Sequence, residues 1–152
     1  MIRLSRLADY GVVLTTQLVR APNMRTAHDL ARVTGLPQPT VAKILKQLAH
    51  HGLLVSHRGA SGGYSLARPA TAVTIADIVA ALDGPIALTQ CMGAQEEHCG
   101  IQAMCPTHPN WRRINDAVTR ALSEVTLAEM AIPTASFVST SPAASTQPAA
   151  AE

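Results

Sequence analysis

Two short helical segments, separated by a turn with a glycine and a proline, constrain the fold of this chain most strongly. Thr26 and Asp29 have the spacing of a capping box, in which two side chains satisfy free backbone N–H groups at a helix start. Gly35 tolerates the left-handed conformation that ends a helix. Pro39 suits the first positions of the next helix, because its missing N–H has no partner there. The pattern predicts a helix-turn-helix.

The second of these helices has an apolar face and an opposite polar face. The apolar face consists of four aliphatic residues at helical spacing: Val41, Ile44, Leu45 and Leu48. The opposite face carries Lys43, Lys46 and His50, with Thr40 and Gln47 at its flanks. Such a helix packs on a core through one face and leaves the other face free to meet a ligand.

A β-hairpin is predicted directly after this pair of helices. Residues 53–57 and 64–68 are two short strand-like runs around a glycine-rich turn. A hairpin in this place is a wing. A helix over residues 5–20 precedes the pair, and a second capping box at Thr74 opens a further helix that stops at Gly84. The expected fold is mainly α with a small β-hairpin wing, a winged helix-turn-helix.

A loop and a long helix follow the winged helix. Residues 85–108 show little periodicity and hold all three cysteines. We expect one helix from about residue 109 to residue 130, because apolar residues recur every seven positions at Trp111, Val118 and Val125. This spacing is typical of a coiled-coil seam, which favours packing on a second copy of the chain and hence a homodimer.

The tail has a different composition. From Pro133 onward the chain is built largely of Ala, Ser, Thr and Pro, so we expect it to be disordered. The expected organisation is a DNA-binding winged helix at 1–84, a cysteine-rich loop at 85–108, a dimerisation helix at 109–131 and a disordered tail at 132–152.

The charge is divided unevenly along the chain. Residues 1–68 carry nine Lys or Arg and two Asp, a net charge of +7, whereas residues 69–152 carry three Arg and eight acidic residues, a net charge of −5. The basic half favours a polyanion partner, with a solvated basic surface as the alternative. Because a helix-turn-helix delivers its second helix to the DNA major groove, we expect these DNA contacts: Arg3, Gln38, Thr40, Lys43, Lys46, Arg58 and Ser61.

Composition also bears on location. Aromatic residues are 3 % of the chain, so the core must be aliphatic. Apolar runs stay well below the roughly 18 residues that a membrane span needs, and residues 1–6 do not resemble a signal peptide. We therefore expect a cytoplasmic protein without a membrane partner.

The three cysteines and one histidine have the pattern Cys91-x7-Cys99-x5-Cys105-x2-His108. An odd number of cysteines in a cytosolic chain argues against a disulfide framework. Thiolates are soft ligands suited to iron–sulfur clusters and zinc. Four-coordinate binding needs a fourth partner, for which His98, His108 and Asp9 are candidates.

Other interpretations of the cysteines are weaker. Buried hydrophobic thiols do not fit a loop without an apolar pattern, and the C-x2-C spacing common at structural zinc sites is absent. A catalytic cysteine needs an activating base and an oriented partner, and the sequence builds neither. We therefore do not expect an enzyme, while a zinc-bound or thiol-redox DNA-binding protein stays open.

With these features, residues 1–131 resemble the IscR/NsrR-type winged-helix regulators of bacteria. The motifs that carry the resemblance are LSRLADYG (4–11), PTVAKIL (39–45), RGASGGY (58–64) and TIADI (74–78). LDGPIALTQC (82–91) and WRRIN (111–115) are most similar to the branch that regulates the SUF iron–sulfur assembly genes. The seven residues between Cys91 and Cys99 exceed the family's frequent spacing.

The resemblance implies a homodimer that reads a palindromic site on double-stranded DNA and represses the SUF operon. It also implies an iron–sulfur cluster held by Cys91, Cys99 and Cys105. Regulators with a 2Fe–2S cluster use a histidine where His108 stands, and nitric-oxide sensors with a 4Fe–4S cluster use an aspartate where Asp9 stands. We favour 2Fe–2S with His108, keeping 4Fe–4S with Asp9 as the alternative.

Overall fold

The computed structural model describes residues 3–21, 23–59, 62–93, 100 and 104–132. The helices are α1 (Arg6–Arg20), α2 (Ala27–Thr34), α3 (Gln38–His50), α4 (Ile75–Asp83), α5 (His108–Glu124) and α6 (Leu127–Met130). The strands β1 (Leu54–His57) and β2 (Gly63–Leu66) form an antiparallel hairpin. The predicted fold class, mainly helical with a two-stranded wing, is confirmed. Over these residues, every helix is too short or too polar to cross a bilayer.

Local signals in the sequence place the first helices. Ser5 caps α1 through its side-chain oxygen, which accepts the N–H of Ala8. Both predicted capping boxes are present, at the starts of α2 and α4. Gly35 ends α2 with a φ of 70°, where a side chain would be strained. The tight turn at this glycine sets α2 against α3.

The wing is joined to the segment before α2 as well as to itself. In the hairpin, Leu54 pairs with Leu66 and His57 pairs with Gly63. On the outer edge, the N–H of Arg25 donates to the C=O of Tyr64 at 3.1 Å, and the N–H of Tyr64 donates to the C=O of Arg25 at 2.8 Å. These two bonds fix the wing relative to the helix-turn-helix.

One aliphatic core holds the helices together, as the low aromatic content predicts. Its largest fully buried residues are Leu14, Leu30, Ile44, Leu45, Leu48, Ile78 and Leu127. They come from α1 to α4 and from α6, so the apolar face predicted for α3 points into this core. We call the body formed by α1 to α4, the wing and α6 the head.

The single helix expected from residue 109 to residue 130 is wrong, because the chain breaks it after Glu124. Val125 is extended, and its C=O accepts the N–H of Ile75 at 3.0 Å. Thr126 then caps α6 with Glu129 in a third capping box. The seven-residue apolar spacing continues to Val125, but the backbone bonds to α4 and the new cap prevail over helix continuation.

α6 lies in the core of the head, whereas α5 contacts the core only through half-buried residues such as Leu122. Leu127 is 0 % exposed within the core, and Arg20 Nε donates to the C=O of Ala131 at 2.9 Å. None of the residues of α5 is buried by the part of the chain that the structure describes. The tail from residue 133, predicted to be disordered, lies outside the described residues.

Candidate functional site

The outward face of α3 presents the polar residues predicted to read DNA. Gln38, Lys43 and Lys46 are exposed, and Thr40 is half-buried. The opposite face is fully buried through Val41, Ile44, Leu45 and Leu48. Because the core fixes this side of the helix, the two lysines project from a rigid element rather than from a loop.

A contact from α2 supports the start of α3. His28 Nδ1 lies 3.5 Å from Gln38 Oε1, at the long limit of a hydrogen bond. Gln38 is the first residue of α3, and Pro39 follows it as predicted. The side chain of Gln38 is therefore directed by the neighbouring helix, at the end of α3 that meets base edges in a helix-turn-helix.

The tip of the wing is shaped by glycines for two different reasons. Gly59 has a φ of 106°, a conformation that favours glycine. Gly62 lacks such a φ, but a Cβ there would overlap the C=O of His57 and lie 2.9 Å from the C=O of Gly59. Arg58 is exposed beside this turn. Ser61, a predicted DNA contact, lies outside the described residues.

The N-terminal segment is attached to the end of α4. The N–H and the hydroxyl of Ser5 both donate to the carboxylate of Asp83, at 3.3 and 2.5 Å. Arg3 is exposed two residues earlier, so its position relative to the head depends on this attachment. No local pattern predicts this contact, because the two residues are 78 positions apart.

Two of the predicted metal ligands lie at the start of α5. The N–H of His108 donates to the C=O of Cys105 at 3.3 Å. Cys105 Sγ lies 3.3 Å from Thr107 Oγ1, and this hydrogen bond, helped by backbone N–H groups of Thr107 and His108, lowers the pKa of the Cys105 thiol. The local bonds favour the thiolate, which is the form that binds metals.

Cys91 lies in a short 3-10 turn, Gln90–Met92, that packs against α5. Its Sγ is 3.2 Å from Thr89 Oγ1. Both Cys91 and Cys105 are half-buried. The structure thus brings the segments of three predicted ligands, Cys91, Cys105 and His108, to one helix. Cys99 and His98 lie outside the described residues.

The imidazole of His108 has a polar atom without a partner. Nε2 is buried and meets no hydrogen-bond partner among the described residues; Gln47 Oε1 in α3 is in the same condition. A buried polar atom left unsatisfied costs about 1–3 kcal/mol, so it calls for an explanation. Asp9 differs, because it lies exposed on the first turn of α1.

The described residues do not by themselves complete a metal site. Among them there is no group of three His, Cys, Asp or Glu side chains close enough to hold one ion. Sequence reasoning also missed Asn115, whose side chain bonds the backbone at residues 86 and 88. A lone asparagine on a helix carries no local signal of such a role.

The fold and the exposed basic face of α3 define a winged-helix DNA-binding transcription regulator. The model of the Rrf2 family, described as an iron-dependent transcriptional regulator, matches residues 4–132, and the chain belongs to this family. A predicted HTH-type transcriptional regulator of Mycobacterium tuberculosis strain H37Rv is 35 % identical over 132 residues, which are 86 % of this chain and 81 % of that protein. The relatives are regulators and not enzymes.

Solved structures of regulators share the fold. CymR, the global cysteine regulator of B. subtilis, matches with a TM-score of 0.67 and 28 % identity, over 86 % of this chain and 97 % of that one. An IscR from T. potens matches with a TM-score of 0.65 and 25 % identity, over 85 % of each chain. The resemblance to IscR/NsrR-type regulators is thereby confirmed at the level of the family.

Proposed function

We propose that this chain is a cytoplasmic, homodimeric repressor of SUF-type iron–sulfur assembly genes. Its affinity for a palindromic operator would depend on an iron–sulfur cluster held by Cys91, Cys99, Cys105 and His108. The observation that carries the proposal is the buried Nε2 of His108, which meets no hydrogen-bond partner among the described residues, on a residue whose backbone N–H bonds the C=O of Cys105. The family's description as iron-dependent regulators agrees with it.

The donor set fits such a group. Cys91 and Cys105 offer half-buried thiols on segments that both contact α5. A cluster bond to His108 would satisfy the imidazole nitrogen that the described protein atoms leave alone. The carboxylate of Asp9 is exposed, so it requires no ligand to satisfy its polar atoms. This difference favours His108 and the 2Fe–2S assignment over 4Fe–4S.

When bound, the cluster supplies a redox-active group whose gain, oxidation or loss reports on iron–sulfur supply and on oxidative or nitrosative stress. The residues of the chain then connect this group to the head. Cys91 ends the segment that leaves α4, Cys105 lies three residues before α5, and His108 begins α5. Holding all of them would fix α4 and α5 relative to each other. A coupling of about 1–3 kcal/mol is enough for a useful switch.

The DNA side of the proposal assigns roles to residues of the head. Lys43 and Lys46 contact phosphates or guanine edges, and Gln38 and Thr40 contact bases or phosphates near the start of α3. Arg58 at the tip of the wing contacts the adjacent minor groove or the DNA backbone. Arg3 and Ser61 add backbone contacts. In a dimer, two such heads would lie about one DNA turn apart, roughly 34 Å.

Dimerisation through α5 is supported by its apolar side. Trp111 and Ile114 on α5 are 40 % and 46 % exposed. Ile114, Ala117, Val118 and Ala121 line a shallow groove along the helix, with the polar or charged residues Asn110, Arg113, Asp116 and Arg120 around them. An apolar stripe flanked by charges on a helix favours burial against a second copy of the chain.

A second candidate keeps the DNA-binding role and changes the sensor. The half-buried thiols Cys91 and Cys105, each beside a threonine hydroxyl, also fit a zinc-bound or thiol-redox regulator. This candidate predicts a colourless protein, whereas an iron–sulfur protein is brown.

Native mass spectrometry of anaerobically purified protein tests the cluster. We expect a dimer with two irons and two sulfides per chain in the wild type and in Asp9→Ala, and loss of both in His108→Ala. Four irons and four sulfides that disappear in Asp9→Ala would move the protein to the 4Fe–4S branch. A zinc mass, or no metal, would refute the proposal and favour the second candidate.

Replacing Lys43 with Ala tests the DNA surface. We expect weaker binding to operator DNA and a salt slope smaller by about 0.9, because one phosphate contact is lost. Titrations by fluorescence anisotropy at several salt concentrations measure both quantities. Arg112→Ala removes the same charge from an exposed position on α5 and is the control. Equal affinities for the two variants would remove Lys43 from the interface.

A further inference from the structure

The segment that leads to Cys91 is held by a single side chain of α5. Asn115 Oδ1 accepts the N–H of Leu88 at 3.0 Å, and Asn115 Nδ2 donates to the C=O of Ile86 at 3.1 Å. One amide therefore pairs with two backbone groups of the same segment, as a peptide group of a neighbouring strand does. Both bonds are partly buried, so water replaces them poorly if they break.

Apolar residues of α4 and α5 lie around the segment that Asn115 holds. Ile86 and Leu88 line a cavity of about 210 Å³ together with Val79 of α4 and with Val118 and Leu122 of α5. Residues that line the same cavity lie near each other without being tightly packed, so this apolar lining does not fix the register of the segment on α5. The two hydrogen bonds of Asn115 fix the register, because each one requires a particular backbone group.

Asn115 stands between two of the proposed ligands. Leu88 is three residues before Cys91, and His108 lies seven residues, about two helical turns, before Asn115 in α5. A displacement of Cys91 toward or away from His108 must therefore pull on this amide. At the other end of the segment, Asp83 accepts both hydrogen bonds of Ser5 in the head.

We propose that Asn115 is a positioning residue that holds Cys91 against α5, and that it transmits the state of the cysteine site to the dimer helix. The transmission rests on the proposed function, whereas the positioning of Cys91 does not. A merely structural asparagine would contribute to stability and leave the reactivity of Cys91 and the coupling to DNA unchanged.

Two substitutions separate these roles. Asn115→Asp keeps an acceptor for Leu88 N–H but places an oxygen against the C=O of Ile86. Asn115→Leu removes both bonds at a similar volume. Asn23→Asp makes the same chemical change at an exposed asparagine outside α5 and is the control. Loss of one such hydrogen bond changes the open fraction of a segment by roughly two- to tenfold.

The first measurement uses the metal-free protein and counts alkylation of each cysteine by mass spectrometry. We expect Cys91 to react several-fold faster in both Asn115 variants, with Cys105 unchanged, and no effect of Asn23→Asp. Circular dichroism confirms that the variants are folded; should Asn115→Leu unfold, Asn115→Asp decides. Equal rates at Cys91 in wild type and Asn115→Asp would overturn the positioning role.

The second measurement uses the anaerobic, cluster-loaded protein. We expect an altered visible circular dichroism spectrum and a ratio of loaded to metal-free DNA affinity that falls by at least about fivefold in Asn115→Asp. An unchanged spectrum and ratio would overturn the transmission. If the wild type binds no iron, the proposed function and the transmission fail, while the alkylation rates still decide whether Asn115 positions Cys91.

Discussion

At one residue, the packing of α1 on α4 depends on a missing side chain. Gly11 is buried in the middle of α1. A Cβ there would overlap Leu82 Cδ1 and lie 3.3 Å from Ile78 Cγ2. Both neighbours are themselves buried, so they have little room to move. The contact matters beyond the core, because α4 leads directly to Asp83 and the cysteine segment.

Gly11→Ala tests this contact. Overpacking lowers the free energy of unfolding by about 1–3 kcal/mol. The better helix propensity of Ala raises it by about 1 kcal/mol. We expect a net loss in the free energy of unfolding, measured by urea denaturation. Gly100→Ala is the control, since a Cβ there meets no atom of the described residues within 4 Å. A Gly11→Ala protein as stable as wild type would show that α4 adjusts freely.

Residues differ in how far the sequence reveals them. The exposed positions of α3 follow from helical period alone, so Lys43 and Lys46 were predictable. Asn115 and Asp83 act on backbone groups 27 to 29 and 78 positions away. Nothing local marks such partners, because only the assembled fold brings them together.

At the level of elements, three helices begin with the same device. α2, α4 and α6 each start with a threonine cap and an acidic residue three positions later. The hydroxyl of Thr26 lowers the pKa of Asp29, and the backbone N–H of Thr126 lowers the pKa of Glu129. The third box, Thr126 with Glu129, is also visible as a pattern in the sequence. The seven-residue apolar spacing that continues to Val125 nevertheless favoured one unbroken helix.

Glu129→Gln tests the third box by its pH dependence. Because the folded state lowers the pKa of Glu129, the carboxylate stabilises the protein above its ordinary pKa of 4.5. That contribution is lost as the pH falls through the folded pKa. We expect wild type to exceed the variant in unfolding free energy at pH 7, with the difference shrinking toward pH 3.

Chemical denaturation across this pH range measures the difference. Glu124→Gln removes the same charge from an exposed side chain at the end of α5, outside the capping box, and is the control. A difference for Glu129→Gln that stays constant with pH would show that the carboxylate of Glu129 gains nothing from the cap.

At the level of the whole molecule, the proposed dimer depends on α5. Ile114 lines the groove along α5, and Ser123 lies nine residues on, on the opposite side of the helix. We expect Ile114→Glu to weaken dimerisation by about 2 kcal/mol or more, because it places a charge in the seam. Sedimentation velocity gives the dimer fraction. If Ser123→Glu, the control, dissociated the dimer equally, the interface would lie elsewhere.

The chain leaves the head after α4 and returns to it at Thr126. Thr74 and Thr126 form a β-bridge, and Leu127 completes the core. The DNA-binding body is therefore a discontinuous domain, and residues 84–124 are an insertion with both ends anchored in it. An insertion held at both ends is more restricted in its motion than a tether held at one end, and both of its ends lead into the body that carries α3.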